Sequence, residues 1–258
     1  ALEAISSESG MSQFEINLKH TEDVLKLADG LVFLKNIIRL ISRKNGFAAT
    51  FMAKPFASRP GNGIHAHFSL LNENKRNVFD NGTETGSDNM LASVGGLLAH
   101  MRQSALIFAP HLNSFRRLSP KQHAPLNFTW GYENRTAAIR IPGGKYSSRR
   151  IEHRVAGADT NIYLVLAAIL GAALDGLLHG TRPPQPVLGD CSYSDIGQED
   201  ALPATWFEAI SSFEQGDLIG GALNSVIRDM LIRTKRQELL TFAHDVSSFE
   251  YETYLETV

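Results

Sequence analysis

The sequence predicts an α+β fold: a largely antiparallel sheet flanked by helices, with a mostly helical part from 187 to 258. Three observations carry this. Short stretches of two-residue alternation recur along the first 155 residues, which is the period of a half-buried strand. Long stretches of helical periodicity separate them, but without the strict alternation that a parallel βαβ sheet requires. Beyond residue 203 the apolar spacing is helical almost throughout.

The elements follow in order. Residues 13–18 (QFEINL) alternate polar and apolar, as a strand does. Residues 22–44 place Val24, Leu27, Ala28, Leu31, Leu34, Ile37, Ile38 and Ile41 at helical spacing, and Asn45-Gly46 supplies the stop. A strand is expected at 48–54, closed by Pro55, and 57–63 (ASRPGNG) is a loop by its Gly and Pro content. Residues 64–71 alternate again. Ile64, Ala66, Phe68 and Leu70 take one face and His65, His67 and Ser69 the other. A helix is expected over 88–108, and a long ordered loop over 110–125 with its three prolines. Strands at 136–141 and 150–155 flank a Gly-Gly turn at 143–144. Thr160 is the expected cap of a helix over 161–179, which Gly180, Pro183, Pro184 and Pro186 then break.

Composition excludes several classes. With 258 residues, 43% of them hydrophobic, the chain can bury one large core or two small ones. The formal net charge of -2 favours neither nucleic acid nor a membrane surface. The longest apolar run, 162–174, is shorter than the roughly 20 residues that span a bilayer. Cys191 is the only cysteine, so no intrachain disulfide forms and a reducing cytoplasm is the expected setting. The chain opens ALEAISSESG, without an initiator Met or a leader, and reads as a piece of something longer.

Three signals carry chemistry. Arg116, Arg117, Lys121, Arg135, Arg140, Lys145, Arg149, Arg150 and Arg154 crowd one stretch of a near-neutral chain, against only Glu133 and Glu152. A solvated basic face explains a charge run. Arginines inside strand-like stretches instead suit forked recognition of phosphate or carboxylate, and a small polyanion fits better than a nucleic acid. Second, in Arg150-Ile151-Glu152-His153-Arg154 the two arginines and the glutamate share one face of a strand. That arrangement is either a structural ion network or a metal ligand held beside anion-binding arginines. Third, Gly61-Asn62-Gly63 runs into His65-Ala66-His67, with both histidines on one face. Zinc lacks further ligands there, whereas a hard cation could take one His with acids such as Glu8 and Glu15. Together these describe ATP-dependent chemistry without a Walker loop.

Five ordered stretches, ATFMAKP, GNGIHAHFSL, RRLSPKQHAPLN, NRTAAIRIP and RIEHRVAGADTNIYLVLAAILGAALDGL, closely resemble successive blocks of the glutamine synthetase catalytic domain, and the closing FEYETYLETV resembles its end. The resemblance covers essentially residues 1–258. It implies an ATP-dependent ligase that joins glutamate to ammonia or a small amine through a γ-glutamyl phosphate. It implies Mg2+ or Mn2+ at two sites, one held by Glu8 and Glu15, the other by His65 and Glu152. His67 and Ser69 match nucleotide-contacting positions, and Arg135, Arg140 and Arg150 match arginines that clamp phosphate. Arg117, Arg154 and Gly61 match positions that hold glutamate. The family's N-terminal domain, absent from this chain, completes each site in ring-shaped homo-oligomers, so the resemblance implies that the isolated chain is inactive.

Three departures stand out. His123 lies in the flap where the family pattern has a Glu that helps deprotonate the incoming ammonium, and a His there is a candidate base. Pro60 stands where many members have Asn, and Ser7 where many have His. The run Trp130 to Arg135 looks more like the γ-glutamyl-polyamine synthetase branch, which leaves ammonia and polyamines both open as acceptor. A rival reading is a non-catalytic member that keeps the fold for assembly. The nearly complete set of matched acids and arginines argues against it.

Overall fold

A computed structural model describes residues 2–119, 124–191, 201–217 and 221–258. The chain begins with a two-stranded antiparallel hairpin, β1 (Leu2–Ser7) and β2 (Phe14–Leu18), whose residues are mostly exposed. Helix α1 (Val24–Lys44) follows where periodicity predicts it. Asp23 caps it by accepting from the Lys26 amide, and it ends at Asn45, followed by Gly46 at φ +78°. Of its apolar stripe only Ala28 is fully buried, with Leu31 packed against the core.

The expected strand at 48–54 is not a ladder strand. At its end two asparagines take up backbone groups: Asn113 bonds both the amide and the carbonyl of Lys54, and Asn62 bonds the carbonyls of Met52 and Ala53. Backbone groups satisfied in this way need no ladder partner.

The central sheet has four strands in the order β3 (Ala66–Phe68), β6 (Ile151–His153), β5 (Ile139–Ile141), β4 (Trp130–Tyr132). Two of its three pairings are antiparallel and β4–β5 is parallel, joined by the short connection 133–138. Helices cover its apolar face. The stretch expected as one helix over 88–108 is two, α2 (Asp88–Ala99) and α3 (Met101–Phe108), broken at His100, whose ring is held by Asp175 at 2.7 Å. Inside the predicted loop 110–125 lies a short helix, α4 (Leu112–Arg117).

Helix α5 (Ile162–His179) is capped by Asn161, one residue beyond the expected Thr160, and ends at Gly180 in the left-handed conformation at φ +61°. By length and composition α5 is apolar enough to cross a membrane, which the shorter run read from sequence did not suggest. In the fold it is a core helix: Val165, Ala168, Ile169, Ala172 and Ala173 are buried, and it packs closely on α2. Gly96 and Gly176 make that contact possible, since a Cβ on Gly96 would come within 2.1 Å of the Ala172 carbonyl oxygen. Helices α6 (Trp206–Gln215), α7 (Ser225–His244) and α8 (Ser248–Tyr254) complete the chain as the helical C-terminal part, with α6 packed on α3.

Candidate active site

Glu152 lies at the middle of β6, and strand pairing gives it two cross-strand neighbours: His67 on β3 and Arg140 on β5. Its carboxylate is 2% exposed and is surrounded by cations. Arg140 Nη1 donates at 2.9 Å, Arg154 donates from just past the end of the same strand, and His65 Nδ1 lies at 3.3 Å. His67 Nε2 stands 3.9 Å away. Burial favours the neutral acid, yet the His65 hydrogen bond and the Arg154 and histidine charges hold the carboxyl well below the usual range. Glu152 is therefore an anion at any ordinary pH.

The two-residue period accounts for the rest of the face. Arg150 Nε donates to His67 Nδ1 at 3.3 Å, so Arg150, Glu152 and Arg154 do share one side as the sequence predicts. His153 points the other way, fully buried against the Phe108 ring at 4.4 Å between centroids. Burial pushes its pKa down to about 3, so it sits neutral in the core. The alternation in 64–70 holds as well: Ile64, Ala66, Phe68 and Leu70 pack against the core, while His65, His67 and Ser69 are exposed on the site face.

Arg140 bridges two carboxylates, since its Nη2 also donates to Glu133 at 2.9 Å. Glu133 adopts φ +51°, a left-handed conformation that costs a residue with a Cβ about 1–3 kcal/mol. In that conformation its second oxygen accepts from the Gly143 amide, and this bond together with Arg140 keeps its carboxyl below the ordinary range. Nothing in the residue pattern singles out Glu133, because the signal is a backbone angle. Arg135 is exposed beside it.

Arg117 is buried at the end of α4, donating to the Val155 carbonyl at 2.8 Å and to the Arg154 carbonyl at 3.5 Å. Burial lowers its pKa to about 10, with Asp159 acting in the other direction. Its side chain walls the loop 61–63: a Cβ on Gly61 would meet the Ala53 carbonyl at 2.6 Å and Arg117 Cγ at 2.9 Å. Arg117 thus shapes the loop and braces the backbone of Arg154, with its donors directed into protein.

The acids of the hairpin stand apart from this network. Glu8 and Glu15 are exposed, and neither forms an ion pair among the described residues. The link between hairpin and site is Gln13, whose Nε2 donates to the Gly61 carbonyl at 3.0 Å and to Asn62 Oδ1 at 2.7 Å. A contact across 48 residues has no local signature in sequence. His123 lies outside the described residues.

Among the described residues no group of three or more His, Cys, Asp and Glu side chains is arranged to hold a metal ion. His65 and Glu152 are a pair of the right chemistry, a ring nitrogen just before β3 and a carboxylate oxygen on β6, but by themselves an incomplete shell. The face as a whole offers arginine forks around a fixed carboxylate, which suits a ligand carrying several anionic oxygens.

The chain matches a described family. Residues 1–254 match "Glutamine synthetase, catalytic domain". The chain is a member of the glutamine synthetase family. It is 36% identical over 251 residues to the gamma-glutamylputrescine synthetase PuuA of Escherichia coli, covering 97% of this chain and 52% of that protein. It is 38% identical over 242 residues to a glutamine synthetase of Pyrococcus horikoshii, with 92% and 54% covered. It is also 35% identical over 262 residues to a glutamate--isopropylamine ligase of a Pseudomonas species, with 100% and 56% covered. Among solved structures, the one titled "GmaS/ADP complex-Conformation 1" superposes with a TM-score of 0.90 at 31% identity, covering 98% of this chain and 60% of that one. The chain spans about half the length of the curated relatives it matches. The α+β fold expected from the sequence is the fold observed, with neighbours of the same family.

Proposed function

We propose that the protein of which this chain is the catalytic part is an ATP-dependent ligase that joins the γ-carboxylate of glutamate to ammonia or a small amine. The single observation that supports this most is the Glu152 network: one buried carboxylate between Arg140 and Arg154, with His67 on the adjacent strand and His65 just before it. In this reading the glutamate carboxylate attacks the γ-phosphorus of ATP and ADP leaves. The amine then attacks the acyl carbon of the γ-glutamyl phosphate and inorganic phosphate leaves.

The residues divide the work by chemistry. Arg135, Arg140 and Arg150 offset the charge that builds on the transferring phosphoryl group, and the fixed carboxylates keep Arg140 oriented before substrate arrives. His67 and Ser69 meet the nucleotide on the exposed side of β3. Arg154 and the Gly61 loop hold glutamate, the loop being braced by Arg117 and Gln13. Bound by His65 and Glu152, Mg2+ or Mn2+ would neutralise phosphate charge, with Glu8 and Glu15 available for a second ion. His123 serves as the base that receives a proton from the amine. The full-length protein is a ring-shaped homo-oligomer in this reading, with sites shared between subunits.

The acceptor is the open choice. Relatives include ligases named for putrescine and isopropylamine as well as glutamine synthetases. Phosphate release by the full-length protein, with ATP, magnesium and glutamate, should be measured across ammonium, putrescine, spermidine and monoamines. Release that depends on both glutamate and an amine is the expected result, and the fastest amine names the acceptor. Silence with every amine contradicts the ligase reading.

A further inference from the structure

A cavity of about 640 Å³ lies between α1 and the start of α5, apart from the Glu152 network. Val32, Phe51, Met52 and Ile162 supply apolar wall, and Lys35 and Arg39 line the same space. The two cations are one helical turn apart and both sit over the Phe51 ring, Lys35 Nζ at 5.4 Å and the Arg39 guanidinium carbon at 5.0 Å from its centroid. Burial, and then the Arg39 charge, lower the pKa of Lys35. Neither cation forms an ion pair among the described residues. Asp159, the acid on the cavity wall, accepts from Ser114 Oγ at 2.7 Å through one oxygen. Two like charges thus face one space, Lys35 half-buried and Arg39 exposed, with the nearby Asp159 charge acting on Lys35 in the opposite direction.

We propose that this cavity binds a small organic carboxylate, its head group between Lys35 and Arg39 and its hydrocarbon body against Phe51, Met52 and Ile162. The volume is that of an ordinary small-molecule site, and the mixture of apolar wall with a few convergent polar groups is what such sites offer. The cavity is also wired to the loop beside Arg117. Lys35 Nζ donates to the Ala158 carbonyl at 2.6 Å, and the Ala158 amide donates to the Asn62 carbonyl at 3.3 Å. From the other wall, the Met52 carbonyl accepts from Asn62 Nδ2 at 2.9 Å. Asn62 follows Gly61 directly, so occupancy of the cavity biases the loop assigned above to glutamate. That consequence rests on the ligase reading; the binding itself does not.

The test is isothermal titration of the full-length protein with acetate, butyrate and hexanoate, with butyramide and inorganic phosphate as the neutral and the non-carboxylate probes. Affinity should rise from acetate to hexanoate, and butyramide and phosphate should bind more weakly than butyrate. Arg39→Gln and Lys35→Met should each weaken hexanoate by about two- to fivefold, the loss expected of one ion pair. Arg39→Gln leaves the Lys35–Ala158 bond in place, so a fold defect in Lys35→Met does not remove the test. Arg154→Gln should leave hexanoate binding unchanged. No saturable binding, equal binding of phosphate, or loss in Arg154→Gln but not in Arg39→Gln each overturns the proposal. Binding that passes these tests in a protein without amine-dependent turnover overturns the ligase reading alone.

Discussion

Glu152→Gln keeps the shape of the side chain and removes its charge, leaving Arg140, Arg154 and His65 gathered around a neutral amide. Arg140 retains Glu133, so most of the loss falls on Arg154, whose side chain is 11% exposed. Unit charges 4 Å apart at an effective dielectric constant of 20 attract by about 4 kcal/mol, and removing one member of a buried pair costs about 3–5 kcal/mol. Taking about 3 kcal/mol and the roughly 2–4 °C per kcal/mol of a chain this size, the melting temperature should fall by roughly 6–12 °C at pH 7. The folded carboxyl titrates below its unfolded range, so its contribution is fully present above about pH 4.3 and declines as pH falls below that value. The gap between wild type and variant should therefore persist from pH 8 to 5 and narrow in stronger acid. Calorimetric or circular-dichroism melts across that range decide it. A variant melting within a degree of wild type at pH 7 refutes the reasoning.

His153→Leu should remove a pH dependence: the buried ring titrates near 3, below its unfolded value of about 6.5, so wild-type stability falls as pH drops from there. By pH 5 the wild type should have lost roughly 2 kcal/mol relative to the variant, read from urea unfolding at pH 7 and 5. Gly96→Ala puts a Cβ into the Ala172 carbonyl and should lower the melting temperature by several degrees, as overpacking of about 1–3 kcal/mol does, whereas Gly30→Ala, with open space around it, should be tolerated. Arg140→Gln should lower phosphate-release turnover about 10²–10³-fold if Arg140 stabilises the transferring group, and a loss under threefold counts against that role. Gln13→Ala frees the Gly61 loop from the hairpin and should raise the KM for glutamate more than that for ATP; equal changes contradict the bracing role.

Where side chains report on one strand's two faces, the sequence was legible. The alternation through Ile64–Leu70 and Arg150–Arg154 told core from site because sheet geometry turns successive residues to opposite sides. The blocks from GNGIHAHFSL to RIEHRVAGADTN carried the family. Three features were hidden for physical reasons. Residues 48–54 have strand-like composition, but Asn62 and Asn113 take up their backbone groups, and side-chain partners leave no periodic mark. The break at His100 carries neither Gly nor Pro, and is associated with a contact to Asp175, 75 residues away. Glu133 and Gln13 act through a left-handed backbone and a long-range bond, and the five residues of the Glu152 network lie on or beside three strands whose order only folding reveals.

In the proposed reaction glutamate's own carboxylate takes the phosphoryl group from ATP. Glutamate labelled with oxygen-18 in the γ-carboxylate, given to the full-length protein with ATP, magnesium and the preferred amine, tests this directly. One labelled oxygen in each released phosphate is the predicted result, in the wild type and, at its lower rate, in Arg140→Gln. Released phosphate that carries no label contradicts the γ-glutamyl phosphate route.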